Sequence, residues 1–361
     1  MKILHIITNF SAIGGAEMML SRLIQSQPEE EHYLVSLMGV SQEIYSEALG
    51  RCSYAEALNW NGINTFNTIL KLKKIIQELN PELIQGWMYH ANVLASLSLI
   101  GNQKKPKLCW GIHHSLASSK DESISTKVAL MSGRFLAHSA DAIIYCAQSS
   151  QKQHQTFGFK NLKNIVIPNG IQLENFKLNN YIHNPCVVGF AGRYHPAKGY
   201  QYLFETISLL KDYPIVFKIA GRGANLTTSE IANYFQKYEL DEKKVILLDQ
   251  ITDMPEFYTS IDLFLMTSIT EGFPNVLVEA MASGVPCVTT DVGDAEFIVQ
   301  KNGFVVTPRN SKQLSEAIVT YVNLSIEEKK GLKLSSRQRI ETSFSIERVS
   351  KQYLSVWESL L

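Results

Sequence analysis

The chain has 361 residues, which is long enough for two domains of ordinary size. Its 34 basic and 34 acidic residues give a formal net charge of zero, so no general electrostatic attraction to nucleic acid is expected. The five cysteines lack the spacing of a metal site and lie mostly in apolar runs. We therefore expect free thiols in a reducing, cytoplasmic environment.

The hydrophobic segments are those of a globular protein. Residues 1–7 lead directly into a strand without an apolar signal-peptide core, so no secretion signal is expected. The longest uncharged run, 83–103, contains Gln85, His90 and Asn92. These polar side chains favour a strand end followed by a core helix over a membrane span.

Strand and helix patterns alternate through the first half of the chain, which predicts a parallel α/β sheet. After a first strand at 2–7, Gly14 and Gly15 open a helix over 18–25. Glycines at this place let a phosphate approach a helix N-terminus. Further strands are predicted at 32–38, 83–86, 108–112 and 141–147, and helices at 70–79 and 151–157.

Two histidines, His113 and His114, follow the predicted strand 108–112. Ligands of open α/β folds bind at the carboxyl ends of the strands, so this is a candidate site. Consecutive side chains point to opposite faces, and only one of the two is expected to face a ligand. By residue type alone, a partly buried structural histidine is an equally good interpretation.

The second half restarts the strand–helix pattern after a polar, turn-rich segment, 175–185, which predicts an interdomain linker. Arg193 and Lys198 follow the strand that begins at 186, and this pair of cations suits a diphosphate. Without further support, two solvated surface cations would be the better interpretation. Later strands are predicted at 215–220, 245–248, 261–266, 285–289 and 303–306, and a last helix at 345–361.

The segment after the strand 261–266 combines a tight turn with a buried helix. Gly272 permits the turn, and Pro274 suits the first helical position, where its missing N–H costs no hydrogen bond. The helix N-terminus at Asn275 and Val276 is predicted to bind an anion.

Two carboxylates, Glu271 and Glu279, flank this anion site. A carboxylate accepts hydrogen bonds from paired hydroxyl groups, as on ribose. An anion site beside groups that bind hydroxyls describes a site for a nucleotide sugar.

The segment from Glu271 to Glu279, with Gly272-Phe273-Pro274 inside it, resembles the E-x7-E motif of retaining glycosyltransferases of the GT-B fold, family 4 type. The resemblance continues through 280–288, the Gly14-Gly15-Ala16-Glu17 loop and the segment from Arg193 to Gly199. It departs at Gln172, where the family has Asp, and at Asp294, where it has Gly.

The resemblance implies two Rossmann-like parallel-sheet domains that face each other across a cleft. Residues 1–170 would form the acceptor domain and residues 186–344 the nucleotide-sugar-binding domain. The helix 345–361 would cross back to the first domain.

The resemblance also implies residue roles, with Arg193, Lys198 and the helix N-terminus stabilising the diphosphate. Neither a metal nor another cofactor is then expected. The implied catalytic residues are His113, Arg193, Lys198 and Glu271. The implied donor-binding residues are Gly14, Gly15, Arg193, Lys198, Glu271, Gly272, Phe273, Pro274, Asn275, Val276 and Glu279.

The implied function is hexosyl transfer from a nucleoside-diphosphate sugar, with UDP as the nucleotide expected from the family. The acceptor would be a saccharide or a lipid-linked saccharide in bacterial surface-polysaccharide synthesis. The alternatives are a sugar-nucleotide epimerase of the same architecture and a non-catalytic sugar-nucleotide-binding subunit. A dehydrogenase predicts G-x-G-x-x-G after the first strand, and that motif is absent.

Six lysines of the first domain suggest peripheral contact with the inner face of the membrane, because anionic lipid attracts basic clusters. A solvated helix face is an equally good interpretation. The lysines are Lys71, Lys73, Lys74, Lys104, Lys105 and Lys107.

Overall fold

The computed structural model describes residues 1–102, 105–116 and 123–361. They divide into two compact units: Met1–Gly170 with Ile346–Leu361, and Ile171–Ser345. Each unit is a parallel sheet packed against helices, which confirms the predicted pair of Rossmann-like α/β domains.

The first unit contains a seven-stranded sheet in the order β3-β2-β1-β4-β5-β6-β7. Its registered pairs are all parallel, and Ile7 at the end of β1 lies opposite Ser36 on β2 and Trp87 on β4. The strands are β1 (Lys2–Ile7), β2 (Glu31–Ser36), β3 (Cys52–Ala57), β4 (Leu83–Trp87), β5 (Lys107–Ile112), β6 (Ala142–Tyr145) and β7 (Asn164–Val166).

Helices cover this sheet on two sides, and each side has its own hydrophobic core. The helices are α1 (Gly15–Ser26), α2 (Gln42–Gly50), α3 (Thr65–Leu79), α4 (Tyr89–Ser98), α5 (Ile124–Leu136) and α6 (Gln148–Phe157). The sequence pattern did not predict the helices α2 and α5 or the strand β3. It predicted α4 only as a core helix without bounds. The strand β3 alternates between exposed and half-buried residues at the sheet edge, so it lacks a continuous apolar run.

The second unit contains a six-stranded sheet in the order β10-β9-β8-β11-β12-β13. The strands are β8 (Cys186–Ala191), β9 (Ile215–Ala220), β10 (Val245–Asp249), β11 (Leu263–Met266), β12 (Cys287–Thr290) and β13 (Gly303–Val306). The helices are α7 (Tyr200–Leu209), α8 (Ser229–Tyr238), α9 (Met254–Thr259), α10 (Asn275–Ala282), α11 (Ala295–Val299), α12 (Ser311–Val322) and α13 (Ile326–Ser343).

The last helix, α14 (Ile346–Glu358), belongs to the first unit. Its Tyr353 and Trp357 side chains are fully buried, and Trp357 Nε1 donates a hydrogen bond to Gln85 Oε1 at 3.0 Å. Gln27 Nε2 also donates to the Ser350 carbonyl. The C-terminal helix is therefore part of the core of this unit.

Each sheet has a switch point, where the chain reverses its direction of travel across the sheet. It lies between β1 and β4 in the first unit and between β8 and β11 in the second. The loops that leave two such strands diverge to opposite faces and open a crevice at the carboxyl ends of the strands, where ligands bind. Ligand-binding residues are therefore expected in the loops after these four strands.

A chain of buried hydrogen bonds crosses the core of the first unit. Trp87 Nε1 donates to His5 Nδ1 at 3.3 Å, and His5 Nε2 lies 3.0 Å from His32 Nδ1. His32 Nε2 is 3.2 Å from the Gln27 carbonyl oxygen. With each Nε2 protonated, every contact joins one donor to one acceptor, and both rings are neutral.

We expect the first unit to lose stability as the pH falls from about 6.5 toward 4. Burial lowers the pKa of His5 and His32, and it lowers the pKa of His113 and His154 to about 4. Below about 6.5, the unfolded chain therefore binds protons that the folded chain does not bind. Each of these histidines lowers the free energy of unfolding by about 1.4 kcal/mol for every pH unit of decrease between its unfolded and folded pKa values. It has no effect at higher pH.

Urea unfolding followed by tryptophan fluorescence measures this effect, because all four tryptophans lie in the first unit. His154→Gln should reduce the pH slope, whereas the exposed His138→Gln should leave it unchanged. A free energy of unfolding that stays constant between pH 7 and pH 5 would contradict this expectation.

Candidate functional site

The loops after β8 and β11 are joined at the switch point of the second sheet. Thr267 Oγ1 donates to the carbonyl oxygens of Lys198 and Gly199 at 3.0 and 3.2 Å, and the Ile269 N–H donates to the Ala197 carbonyl at 2.8 Å. Gly199 has φ +66°, and a Cβ there would overlap the Thr267 carbonyl oxygen. This close approach requires glycine.

The contact places the cation of one loop against the carboxylate of the other. Lys198 Nζ lies 2.6 Å from Glu271 Oε1, and the two side chains are only 24% and 15% exposed. Ser268 Oγ donates to the same oxygen at 2.7 Å. Glu271 Oε1 thus accepts from two donors of the same unit, and Glu271 sets the position of the Lys198 ammonium.

A third loop supports Glu271 from the next strand. Gly293, after β12, has φ +61°. A Cβ added here would lie 2.8 Å from the Glu271 carbonyl oxygen and would overlap the Gly272 carbonyl oxygen. The Asp294 N–H donates to the Gly272 carbonyl at 3.0 Å. Asp294 has φ −100°, which any residue can adopt, so the departure from glycine at this position leaves the turn intact.

The helix α10 begins one residue later than predicted. Pro274 is the N-cap with ψ 89°, which is outside the helical range, and Asn275 is the first helical residue. Phe273 is buried and packs against Phe344 at a ring-centroid distance of 5.8 Å. The backbone N–H of Val276 lies in the first turn, where a helix has no carbonyl acceptors of its own.

Glu279, one helical turn into α10, is held by a residue from α9. Tyr258 Oη donates to Glu279 Oε2 at 3.0 Å. Burial raises the pKa of Tyr258 well above its ordinary value, and the nearby Glu279 charge adds to the effect. The hydroxyl therefore stays protonated and remains a donor to the carboxylate.

Arg193 lies two residues after the end of β8 and is exposed. Its guanidinium makes no hydrogen bond or ion pair with the residues that the structure describes. The neighbouring turn is rigid, because Asp249 accepts from the Gly223 N–H and from Asn225 Nδ2, both at 2.9 Å. These two hydrogen bonds, with that from the Gly223 backbone first, lower the pKa of Asp249.

In the first unit, Gly14 is the N-cap of α1 and Gly15 its first residue. The Glu17 carboxylate folds back beside Gly14, into the space that a Cβ would take. Burial raises the pKa of Glu17. Because a carboxyl group of the same helix already lies here, this N-terminus is better suited to sugar hydroxyls than to a second phosphate.

His113 follows β5 and is fixed on both sides. Its ring stacks on Trp87 at a centroid distance of 5.0 Å, and Nδ1 lies 3.0 Å from Asn169 Oδ1. Burial lowers the pKa of His113 to about 4, so the ring is neutral with its proton on Nδ1. Nε2 is then an acceptor, and it has no hydrogen-bond partner among the described residues.

His114 makes different contacts from its neighbour. Its backbone carbonyl accepts from Ser150 Oγ at 2.7 Å, and its ring meets the edge of Tyr89 at 6.1 Å. Of the predicted residues, the structure joins Lys198 directly to Glu271 and places Glu279 on the following helix. Gly14, Gly15 and His113 belong to the other unit.

Two family models match the chain: Glycosyltransferase Family 4 over residues 13–175, and Glycosyl transferases group 1 over residues 185–323. The Staphylococcus aureus capsular polysaccharide biosynthesis glycosyltransferase CapM is 28% identical over 54% of this chain and 53% of its own. An Escherichia coli UDP-Gal:alpha-D-GlcNAc-diphosphoundecaprenol alpha-1,3-galactosyltransferase is 27% identical over 44% and 45%. The matched part of each relative is thus about half of its length.

The solved structure of Anabaena HepE in complex with UDP superposes with a TM-score of 0.85, at 22% identity over 99% of this chain and 100% of that one. This chain belongs to the family 4 type of glycosyltransferases, with the GT-B fold. One family model matches mostly the first structural unit, the other matches the second, and together they match well over half of the chain.

Three contacts in this family 4 chain were not identified from the sequence. Tyr258 holds Glu279, Ser268 donates to Glu271, and Asn169 orients His113. Ser268 follows β11 closely, so a search of strand ends for polar residues would have found it. Asn169 and Tyr258 lie 56 and 21 residues from their partners, and no local pattern signals these contacts. No group of three or more His, Cys, Asp or Glu suited to a metal ion occurs in the described part of the chain.

We expect Glu279→Gln and Glu271→Gln to have different effects. Glu279→Gln should weaken the binding of UDP and of the UDP-sugar alike, because charge-assisted hydrogen bonds to ribose contribute about 1.5–3 kcal/mol each. That is roughly 10- to 100-fold in Kd. Glu271→Gln should weaken UDP binding less than Glu279→Gln does and should lower turnover, because the contact expected of Glu271 is with the sugar and its effect on the diphosphate is only through Lys198.

Calorimetry with UDP and with the donor, together with turnover, separates the two effects. Tyr258→Phe should reproduce a weaker form of the Glu279→Gln defect, and the exposed Glu256→Gln is the matched control on the same helix as Tyr258. Equal loss of UDP binding in both motif variants would show that the pair acts as one structural unit.

We expect His113→Ala to reduce turnover far more than His114→Ala, with little change in donor affinity. The reason is that His113 Nε2 is a buried acceptor without a hydrogen-bond partner among the described residues, in a ring whose orientation is fixed. Turnover, donor Kd and the tryptophan-detected unfolding curve should be measured for both variants. Similar losses in both, or unfolding of the His113 variant, would count against this role.

Proposed function

We propose that the protein is a retaining hexosyltransferase that uses a nucleoside-diphosphate sugar. The donor is a UDP-sugar, and the acceptor is a saccharide or lipid-linked saccharide of bacterial surface-polysaccharide synthesis. The observation that carries the proposal is the ion pair between Lys198 and Glu271 at the switch point of the second sheet. It puts a cation suited to a diphosphate next to a carboxylate suited to sugar hydroxyls.

The chemical problem is the negative charge that develops on the diphosphate as its bond to the anomeric carbon breaks. Arg193 and Lys198 are cations on the loop after β8, and the first turn of α10 adds the Val276 N–H. These groups supply the charge stabilisation that a divalent metal supplies in other transferases. We therefore propose a reaction that needs no metal or other cofactor.

In the transfer step, the acceptor hydroxyl oxygen bonds to the anomeric carbon and the bond from that carbon to the diphosphate oxygen breaks. The hydroxyl proton passes to the departing phosphate oxygen, so the step balances without a protein base. Glu271 would hold the sugar hydroxyls through Oε2 while its Oε1 keeps Lys198 in place. Glu279 would hold the ribose, and Gly14, Gly15 and His113 would contact sugar or acceptor hydroxyls.

The comparisons support the donor and acceptor classes. HepE binds UDP in its solved structure. The Escherichia coli relative is named for UDP-Gal and a GlcNAc-diphosphoundecaprenol acceptor, and CapM is named for capsular polysaccharide biosynthesis. An epimerase would convert the donor without an acceptor, and a binding subunit would convert nothing. Product analysis with and without acceptor, with the anomeric configuration read by NMR, distinguishes these functions.

A thermal-shift panel of UDP-, GDP- and ADP-sugars tests the donor. A ligand at about 100 times its Kd stabilises the folded state by about 2.7 kcal/mol, which corresponds to a rise of several degrees in Tm. We expect this rise with UDP-sugars. Lys198→Met should reduce it strongly, and the exposed Lys211→Met should not. An equal response to all three bases would contradict the proposed donor.

We further propose that the protein works on the cytoplasmic side, in peripheral contact with the membrane. The described residues contain no helix long and apolar enough to span a bilayer. The six lysines support this contact less than the sequence suggests, because three of them already have partners within the protein. Lys73 Nζ donates to the Ile100 carbonyl, Lys74 is 3.6 Å from Glu78, and Lys107 is 3.4 Å from Asp141.

Of the remaining lysines, Lys104 lies outside the described residues, and Lys71 and Lys105 make no ion pair within them. Two such cations give little attraction to anionic lipid, because each contributes about 1 kcal/mol at most near the surface. Membrane contact therefore needs an additional, apolar source of affinity.

A further inference from the structure

The helix α5 carries two apolar faces, and only one of them is used by the fold. Ala129, Leu130 and Gly133 are buried against the core of the first unit. On the opposite face, four large apolar side chains are exposed to solvent: Ile124 (81%), Val128 (61%), Met131 (45%) and Phe135 (68%). We name these four residues the α5 stripe.

The spacing of the α5 stripe makes it continuous. Positions 124, 128, 131 and 135 follow the i, i+4, i+7, i+11 pattern, which places them within an arc of about 60° at about 100° per residue. Single exposed apolar residues are common on protein surfaces, but a contiguous row along three turns marks a contact surface.

The charge around the stripe identifies the kind of partner. Lys127 and Arg134 flank one side of it, and Ser125 and Ser132 lie on the other. The segment 123–140 contains no Asp or Glu, although Asp121 and Glu122 precede it outside the described residues. An apolar stripe bordered by cations complements the surface of an anionic bilayer, where the apolar side enters the acyl boundary and the cations meet headgroups.

A second exposed apolar pair lies on the same side of the sheet. Phe66 and Leu70, on α3, are 72% and 49% exposed and one helical turn apart. Both α3 and α5 pack their buried faces into the same core of the first unit. Lys71, which makes no ion pair with the described residues, follows Leu70 directly on α3.

We propose that α5 is an interfacial membrane anchor that lays the α5 stripe into the headgroup–acyl boundary of an anionic bilayer. The inference deepens the proposed function, on which it rests, by assigning a surface through which the enzyme reaches a lipid-linked acceptor. The stripe belongs to none of the groups assigned to donor or acceptor chemistry. Its binding should have a salt-sensitive part from the cations and a salt-resistant part from the apolar side chains.

Vesicle flotation at low and high salt tests this assignment, with phosphatidylglycerol-containing vesicles compared with pure phosphatidylcholine. The wild-type chain should float with the anionic vesicles and keep a measurable fraction bound at high salt. The triple variant Val128→Ser, Met131→Ser, Phe135→Ser should bind at least about tenfold more weakly, because it loses most of the apolar contact. The matched control replaces three exposed leucines of the second unit, Leu209, Leu226 and Leu334, with serine and should bind like wild type.

Phe135→Trp gives a direct readout of insertion. Brominated acyl chains should quench this variant more than the wild-type chain, whose four tryptophans lie elsewhere in the first unit. Absence of wild-type binding, equal binding of the triple variant, or no additional quenching would overturn the proposal. A change in oligomeric state without a change in vesicle binding would assign the stripe to self-association instead.

Turnover with a water-soluble acceptor separates this inference from the proposed function. The triple variant should keep wild-type turnover with that acceptor. A wild-type chain that binds vesicles but transfers no sugar contradicts the proposed function alone. A chain that transfers sugar but does not bind vesicles contradicts the anchor alone.

Discussion

The geometry of the candidate site depends on the way two loops meet at the switch point of the second sheet. Because β8 and β11 are adjacent and parallel, their carboxyl ends bring together segments that are about 70 residues apart in the chain. The approach is close enough that Gly199 has no room for a Cβ against the Thr267 carbonyl. Gly293 admits the backbone of Glu271 and Gly272 in the same way. Substituting either glycine would displace the ion pair, so any effect on a ligand would follow from the displaced loop.

The ion pair between Lys198 and Glu271 has two consequences for donor chemistry. In the free protein, each charge offsets the other, so neither is left alone in a partly buried position. In the proposed reaction, a bound diphosphate would give Lys198 a second anionic partner while Glu271 Oε1 still orients it. In that proposal the pair would prepare the cation for the diphosphate, and Glu271 would influence the leaving group, through Lys198, as well as the sugar.

The parts of this site that were predicted from sequence are those that local patterns encode. A strand, a glycine turn and an apolar helix lie together around Glu271 and Glu279, so their order followed from periodicity. The strand predicted at 261–266 begins at Leu263. Pro274 was assigned one position too far into α10 because its ψ of 89°, set by the packing of the loop, is not visible in the residue type. Tyr258 and Asn169 were missed because their partners are distant in the chain. The partners of Lys73 and Lys107 were missed for the same reason, which made the lysine cluster look more available than it is.

The two units place different kinds of chemistry at their sites. The second unit presents charged groups, Arg193, Lys198 and the two motif carboxylates, which suit the ionic part of a nucleotide sugar. The first unit contains a neutral imidazole, because burial outweighs the hydrogen bond that His113 Nδ1 donates to Asn169 Oδ1 and lowers the pKa of His113 to about 4. A neutral ring with a lone pair on Nε2 accepts a hydrogen bond from a hydroxyl but adds no positive charge to compete for the diphosphate. His113 would thus orient a hydroxyl group without attracting the leaving group, and its protonation would not change across the physiological pH range.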